Sequence, residues 1–279
     1  MVAITFALAS SVIWGVCDFV AGILSRRRPV IATTFLVQIS ALGAAAIVTI
    51  AQSDAEPRSK GVLVGFAAGL CGAVSVSAFY RAMSLGLISV ASPLLASGSV
   101  VAFALAVAAG ERPSVVATIG AGLAFSGAVL TATHKHAGRD YRRNPLTFAL
   151  LSAGAFGCAL YLLGLASRET GTVFAVLSQR TASFLVLALL WSTLRPSLRF
   201  SLPWLGAALG IGLGTTVALL FFGLAANRGL ISIVSILASL YPVVTILLAS
   251  IFLDERLRGR QLAGVPLTLL GIAVVAAGR

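Results

Sequence analysis

Long apolar runs dominate this chain and alternate with short polar connections. Leu, Ala, Val and Gly fill the runs without an alternating polar period, so we expect transmembrane helices rather than the strands of a barrel. Each run is long enough to cross a hydrocarbon core about 30 Å thick. The pattern therefore predicts an all-α polytopic membrane protein with ten transmembrane helices and no soluble domain between them. The predicted spans cover residues 2–24, 30–51, 61–80, 86–109, 114–133, 146–166, 172–192, 203–226, 230–252 and 260–277.

Parts of the sequence occur twice at a nearly constant offset of about 142 to 144 residues. GLISVASPLLASGSVV at residues 86–101 returns as GLISIVSILASLYPVV at residues 229–244, and FALASSVIWG from Phe6 returns as FALLSAGAFG from Phe148. A fixed internal period indicates duplicated architecture. Five spans in each copy invert the second copy relative to the first, and such inverted repeats build secondary transporters around a midplane site. The predicted units are a first repeat at 1–137, a basic linker at 138–145 and a second repeat at 146–279.

Composition and charge restrict the classes of protein that fit. The chain is 59% hydrophobic and 10% charged, with a mean hydropathy of +1.04, which is too apolar for a soluble core of this length. The net charge of +12 comes from basic residues in short loops, a positive-inside pattern rather than a nucleic-acid surface. The lipid bilayer is thus the expected partner, and nucleic acid is not. More of these residues fall on the side opposite the termini, which favours termini outside the cytoplasm.

The span pattern and two short motifs together resemble a known family. A Trp-Gly pair at 14–15 lies in the first span, and acidic–basic pairs follow spans four and nine at 111–112 and 254–256. With five plus five spans, these features are similar to the EamA family of the drug/metabolite transporter superfamily. The stretch 14–29 is similar to a subgroup with an Asp-Phe pair in this span. The resemblance covers essentially the whole chain. It implies the ten-span fold, transport of small molecules, and cytoplasmic termini, the opposite of the orientation that the charge count favours.

Asp18 and Arg180 are two charges predicted to lie deep in the membrane. Eight residues separate Asp18 from Arg26, and nine separate Arg180 from Gly171, so helical geometry puts each about 12 to 14 Å below an interface. Charges at that depth are costly and mark functional sites. Asp18 is our candidate for coupling to a proton or another cation, and Arg180 for anchoring a substrate carboxylate or phosphate. The alternatives are a structural ion pair between the two and two charges that never meet.

Other polar and aromatic residues are expected to line the same central site. Trp14 shares a helix face with Asp18, and Gln179 takes roughly the place in the second copy that Gln38 takes in the first. The alternative for a hydroxyl or an amide is a hydrogen bond between two helices, worth about 0.6 kcal/mol in a membrane. Because these residues fall in several different spans, we interpret them as a central path. The predicted substrate and coupling site comprises Trp14, Asp18, Gln38, Ser75, Tyr161, Gln179 and Arg180.

Charged residues at the ends of spans four and nine are candidates for gates at the two membrane faces. As interfacial charges they can cap helices and fix the depth of a helix in the bilayer. The sharper hypothesis is a salt bridge that closes each face in turn. The residues are Glu111, Arg112, Asp254, Glu255 and Arg256.

Glycine and proline spacing predicts how the helices pack and bend. Glycine at every fourth position gives a flat ridge on which another helix approaches closely. Proline removes an intrahelical hydrogen bond and kinks or hinges a span. The glycine rows are Gly61, Gly65 and Gly69 in span three and Gly206, Gly210 and Gly214 in span eight, and the prolines are Pro93, Pro242 and Pro266.

Most other functions lack a supporting pattern. The spans contain no histidine and no nucleophile motif, and His134 and His136 in the linker have no third ligand nearby in sequence, so we expect neither an enzyme nor a metal site. No GxxxxGK[ST] run occurs, so we expect no nucleotide cofactor, and the energy must come from a gradient or from the substrate itself. The interpretation that remains is a multi-pass inner-membrane carrier exporting a small metabolite or drug-like compound in exchange for protons. A channel-like or lipid-handling scaffold is the alternative.

Overall fold

The computed structural model describes residues 1–25, 30–52, 57–84, 95–132, 143–194, 202–252 and 260–278. Every regular element within those ranges is an α-helix, as the apolar pattern predicts. Two connections use a glycine with positive φ: Gly110 (102°) follows the fourth helix, and Gly171 (83°) alone separates the sixth from the seventh. The helices are α1 (Val2–Ser25), α2 (Val30–Ala51), α3 (Ser59–Ser84), α4 (Gly98–Ala108), α5 (Val115–Ala132), α6 (Arg143–Thr170), α7 (Thr172–Leu194), α8 (Leu202–Arg228), α9 (Ile231–Ala238), α10 (Tyr241–Phe252) and α11 (Arg260–Ala277).

Seven stretches within the described residues are long and apolar enough to cross a membrane, which confirms a multi-pass membrane protein. Three further apolar helices are shorter, at Gly98–Ala108, Val115–Leu130 and Leu262–Ala277. They coincide with the predicted spans four, five and ten, so the number of ten spans stays a prediction. The seven are Val2–Leu24, Ala32–Ala51, Ser59–Phe79, Thr147–Thr170, Thr172–Thr193, Leu202–Arg228 and Ile231–Phe252.

The ninth predicted span is divided within the apolar stretch. Ser239 and Leu240 form a turn between α9 and α10, and Ser97 forms a turn directly before α4 in span four. Ser97 and Leu240 are counterparts in the two GLIS stretches, so both copies interrupt the same span at the same place. Pro242 lies in the first turn of α10, where a missing N–H costs no helical hydrogen bond, rather than inside a continuous kinked helix. Pro266 is inside α11 as expected, and Pro93 lies outside the described residues.

The two repeats interlace rather than pack as separate bundles. The most extensive helix pairs join a helix of one repeat to a helix of the other. The pairs also correspond to one another: α1 with α8 matches α6 with α3, and α2 with α8 matches α7 with α3. This is the pattern of a twofold pseudo-symmetry between inverted copies. Helices of both repeats therefore form the walls of the interior. A rotation of one repeat against the other would change the shape of that interior.

Both ends of the chain lie on one face of the bundle, which we call the terminal face. The Ser114 hydroxyl donates to the carbonyl of Gly278, which places the start of α5 beside the end of α11. The Arg228 guanidinium lies 5.3 Å above the ring of Phe6, which places the end of α8 beside the start of α1. Lys60 and Glu169 form an exposed ion pair on the same face at 3.6 Å. This arrangement agrees with an even number of membrane crossings.

The two predicted glycine rows have different outcomes. A Cβ atom on Gly65 or Gly69 in α3 would collide with α7, so this row does allow the close helix approach that its spacing predicts. The equivalent prediction for α8 is wrong at two of its three positions. Gly206 and Gly210 face open space, and only Gly214 lies against another helix, where it contacts the Cys17 sulfur. The spacing in span eight matches that of span three, but α8 turns a different face toward its neighbours.

Candidate functional site

Asp18 faces the interior of the bundle and is nevertheless exposed. The lipid-facing stripe of α1 consists of Val12, Val16 and Ile23, which are 50%, 42% and 38% exposed. At about 100° per residue, Asp18 lies about 140° around the helix from that stripe. Its exposed side chain therefore points away from the exposed apolar stripe of α1. Among the described residues it has no hydrogen bond or ion pair.

Gln38 and Arg180 lie on the inward faces of α2 and α7. The Arg180 Nη1 donates to the Gln38 Oε1 at 3.3 Å. On α7, Leu189 is exposed on the side opposite Arg180, and on α2, Ile47 is exposed opposite Gln38. The bond thus spans the interior between one helix of each repeat.

The Arg180 guanidinium is only partly satisfied. Its Nε and Nη2 atoms are buried, and neither has a hydrogen-bond partner in the described structure. Leaving a buried donor unpaired costs about 1–3 kcal/mol, and more when the group is charged. Two N–H groups of one planar guanidinium are therefore available to a partner that the chain does not supply.

Asp18 and Arg180 do not form an ion pair. The ion pairs between described residues are Lys60–Glu169 and Arg168–Glu111, and both lie at the terminal face. Cys17, the chain neighbour of Asp18, donates from its sulfur to the carbonyl of Ile211 in α8 at 3.8 Å. The alternative of a structural ion pair between them is therefore not met in the described structure.

An aromatic cluster lies around Trp14, one helical turn before Asp18. The ring of Trp14 is 6.3 Å from those of Phe156, Phe222 and Tyr241, centroid to centroid. Tyr241 interacts electrostatically with Asp18, and its buried hydroxyl has no partner in the described structure. The sequence prediction omitted Tyr241. One sequence signal could have identified it. Tyr241 follows the interruption in the second GLIS stretch directly, and its counterpart in the first copy is Gly98, so the two copies differ at this position.

The remaining predicted residues lie in two other places. Ser75 and Ser152 exchange hydroxyl-to-carbonyl hydrogen bonds of 2.9 and 2.8 Å, which join α3 to α6. Gln179 is buried against Gly72 of α3, and its Oε1 has no partner in the described structure. Tyr161 packs beside Ala106, Ala226 and Ile231, closer to the terminal face. The structure thus joins Gln38 to Arg180, places Trp14 one helical turn before Asp18, and uses the Ser75 hydroxyl between helices.

Glu111 ties together several segments at the terminal face. Its two carboxylate oxygens accept hydrogen bonds from the backbone N–H groups of Ile231 and Ser232, both at 2.8 Å, at the start of α9. Arg168 Nη2 donates to the same carboxylate at 3.0 Å, and to the carbonyl of Gly229 at 2.7 Å. Arg168 Nε donates to the carbonyl of Ala226 at 2.9 Å. We call this arrangement the Glu111–Arg168 clasp.

The clasp favours the ionised form of Glu111. Partial burial alone would raise the pKa of this carboxyl, but the hydrogen bonds from Ser232, Ile231 and Arg168 outweigh it and hold the pKa below its usual range. The carboxylate also lies at the N-terminal end of α9, where the helix dipole favours a negative charge. Capping and salt-bridge formation were alternatives from the sequence, and Glu111 does both.

Arg112 is the other predicted gating residue in the described ranges, and it makes none of the hydrogen bonds of the clasp. Arg112 is exposed. Asp254, Glu255 and Arg256 lie outside the described residues. Across the described ranges, no group of three or more His, Cys, Asp or Glu residues could hold a metal ion.

Interlaced repeats with charged side chains on the inward faces of their helices are features of membrane-transport proteins. The model of the EamA-like transporter family matches residues 1–133 and 143–277, and the chain belongs to this family. A solved structure described as "Crystal structure of protein" superposes with a TM-score of 0.81 over 99% of this chain and 96% of that chain, at 16% identity, which shows a shared fold. No curated protein matches the sequence. Membership in this family supports a role as a membrane transporter.

Proposed function

We propose that the protein is a secondary active transporter that carries a small metabolite or drug-like compound through the bundle interior by alternating access. The observation that carries this proposal is that Asp18 and Arg180 each lie on the side of their helix opposite its exposed apolar residues, and that the two form no ion pair with each other in the described structure. Burying a charge inside a membrane protein costs free energy, so a charge that is present there indicates a functional site. Their position between interlaced repeats supports a site that opens to one face at a time.

The Glu111–Arg168 clasp is the proposed closure of the terminal face. It connects the end of α6, the end of α8, the start of α9 and the connection after α4. Because these helices belong to both repeats, the clasp cannot persist when the repeats separate at that face. Opening therefore requires breaking charge-assisted bonds, which are stronger than neutral ones and make the closed state distinct.

Asp18 is the proposed coupling group, and the proton is the proposed coupling ion. A carboxylate that has no protein partner can bind a proton or a cationic group without breaking a bond within the protein. Exchange of substrate for protons would drive export from the cytoplasm across the inner membrane. The turns in spans four and nine are the proposed flexible points, because both occur where the repeats cross.

A flux experiment on the purified protein in liposomes tests the proposed class. A carrier binds one substrate per cycle, so uptake should saturate, and unlabelled substrate inside the vesicles should accelerate entry of labelled substrate. Amino acids, nucleosides and cationic drugs form the first set of compounds. Flux that rises linearly with concentration and shows no counterflow would establish a channel instead. Vesicles containing denatured protein provide the background.

A further inference from the structure

We propose that an outward-facing groove beside α3 binds an anionic phospholipid, whose acyl chain lies in the groove and whose headgroup lies at Arg81. This site is apart from the interior of the bundle and goes beyond the proposed transport function. The groove has a volume of about 300 Å³. It is lined by residues of α3, α6 and α7, so a ligand in it touches both repeats.

The groove opens toward lipid and not toward the interior. Ser75 of α3 bonds to α6, and Gly69 packs against α7, so these two positions mark the covered sides of the helix. At about 100° per residue, they lie about 120° apart around the helix axis. Leu63, Leu70 and Val74 are 71%, 42% and 46% exposed and form a stripe on the opposite side. Since α3 is long and apolar enough to span the membrane, this stripe faces acyl chains.

The lining of the groove suits an acyl chain. Small side chains of α3, among them Ser77 and Ala78, leave space between this helix and its neighbours. Leu151 of α6 and Val186 of α7 line the groove from those neighbours. Apart from Ser77 and Arg81, every lining side chain is apolar. The groove therefore offers close apolar contacts to a methylene chain and few to a polar solute.

Arg81 gives the groove a positive end. It follows Val74 by seven residues, or about two helical turns, so it lies on the same outward stripe about 10 Å further along α3. Its side chain is exposed and lines the groove. The bonds between Ser75 and Ser152 set the register of α3 against α6 and bring the end of α3 beside Arg143, the first residue of α6. Two basic residues therefore belong to this end of the helix pair.

The membrane face at which Arg81 lies favours an anionic headgroup. α3 begins beside Lys60 at the terminal face, so Arg81 lies at the opposite face, where the sequence predicts most of the basic residues. Basic residues at a membrane surface attract anionic lipids, by roughly fivefold in affinity for each charge. An apolar groove that ends at a positive charge thus matches a ligand in which an acyl chain is joined to a headgroup of net negative charge.

Native mass spectrometry of the detergent-purified full chain tests this proposal. The protein is titrated with dioleoyl phosphatidylglycerol, which is anionic, and with dioleoyl phosphatidylcholine, which is zwitterionic. We expect the first molecule of the anionic lipid to bind about fivefold more tightly than the first molecule of the other. Inorganic phosphate should not displace it, because phosphate lacks the chain that the groove holds. Equal affinity for the two lipids, or displacement by inorganic phosphate, would overturn the proposal.

Three variants locate the bound lipid. Arg81→Gln should weaken binding of the anionic lipid about fivefold and leave the zwitterionic lipid unchanged. Ser77→Phe places a ring in the groove and should weaken binding of both lipids. Arg58→Gln, at the exposed position directly before α3 at the terminal face, is the matched control and should change neither.

The variants also define the results that would refute the site. If Arg81→Gln and Arg58→Gln bound the lipids alike, the preference would come from overall charge and not from this groove. Wild-type affinities in Ser77→Phe would show that the chain lies elsewhere. Melting temperatures measured without lipid identify the folded variants. If Arg81→Gln does not fold, the wild-type comparison and Ser77→Phe decide the question.

Discussion

Gln38 and Arg180 lie 142 positions apart, within the offset that separates the two repeats, and they bond to each other across the interior at 3.3 Å. Trp14 and Phe156 have the same separation and are also in contact. Residues that are related by a twofold axis and touch one another must lie at that axis. The pseudo-symmetry axis therefore passes the aromatic cluster and the Arg180 guanidinium. On the axis itself, the copies differ in chemistry: an amide faces a guanidinium, and an indole faces a phenyl ring.

Replacing Gln38 tests its role as the positioning partner of Arg180. Gln38→Ala removes the acceptor of Nη1, so the guanidinium loses its only side-chain partner in the described structure. We expect the concentration of substrate for half-maximal uptake to rise about threefold to tenfold, while maximal uptake changes less. Gln52→Ala, at the exposed end of the same helix, is the matched control and should leave both values unchanged. Equal effects of the two substitutions would contradict this role.

Glu111 should make the stability of the protein depend on pH. Its pKa in the folded protein is lowered, so its contribution is fully present above the pKa of the unfolded chain and is lost as the pH falls through the folded value. The melting temperature of Glu111→Gln should therefore lie below that of the wild type at pH 7, and the difference should disappear on acidification below about pH 4. Glu169→Gln, which loses a more exposed ion pair, is the control and should show little difference at either pH. If the difference in melting temperature between Glu111→Gln and the wild type grew in acid, stability would depend on pH with the opposite sign, and the prediction would be wrong.

Replacing Arg168 tests whether the clasp depends on the geometry of the guanidinium or only on its positive charge. Arg168→Lys retains a positive charge near Glu111 but lacks the planar fork in which Nε reaches the carbonyl of Ala226 while Nη2 reaches the carboxylate and the carbonyl of Gly229. We expect a loss of about 1–3 kcal/mol in stability and faster hydrogen exchange at the start of α9. Arg112→Lys at the neighbouring exposed position is the control. If Arg168→Lys behaved like the wild type in both measurements, the clasp would depend on charge alone.

Two glycines provide a matched pair for helix packing. Gly69→Ala places a methyl group against the carbonyl of Gln179 and the side chain of Ala182, and overpacking of this kind costs about 1–3 kcal/mol. Gly210→Ala meets no atom within 4 Å and gains helix propensity, so it should be neutral or slightly stabilising. Thermal unfolding of both variants in the same detergent distinguishes them. Comparable destabilisation by both would show that the row in α8 packs after all.

The apolar pattern and the repeat were sufficient to predict the helices, the membrane and the family. Many residues contribute to each apolar run, so a single polar residue does not change the prediction of a span. The inward orientation of Asp18 and Arg180 was also accessible, because a lone charge in an apolar helix can only point away from lipid.

Other features depended on how the copies meet, which no single segment encodes. The interlacing of the repeats determines that Gly206 and Gly210 face open space while Gly65 and Gly69 are covered. It also determines that Arg180, and not Gln179, bonds with Gln38. Tyr241 was overlooked because tyrosine in an apolar span is an ordinary packing residue until its unpaired hydroxyl is placed beside a carboxylate.

The most direct test of the account is transport by Asp18→Asn in liposomes, measured in two modes with a compound that the wild type carries. Exchange of labelled for unlabelled substrate needs no net proton movement, so it should continue in a folded variant, although more weakly if Asp18 also binds the substrate. Accumulation driven by an imposed pH gradient should be lost, whereas Glu169→Gln should retain both modes. Gradient-driven accumulation by Asp18→Asn at the wild-type level would contradict the central claim that Asp18 couples transport to protons.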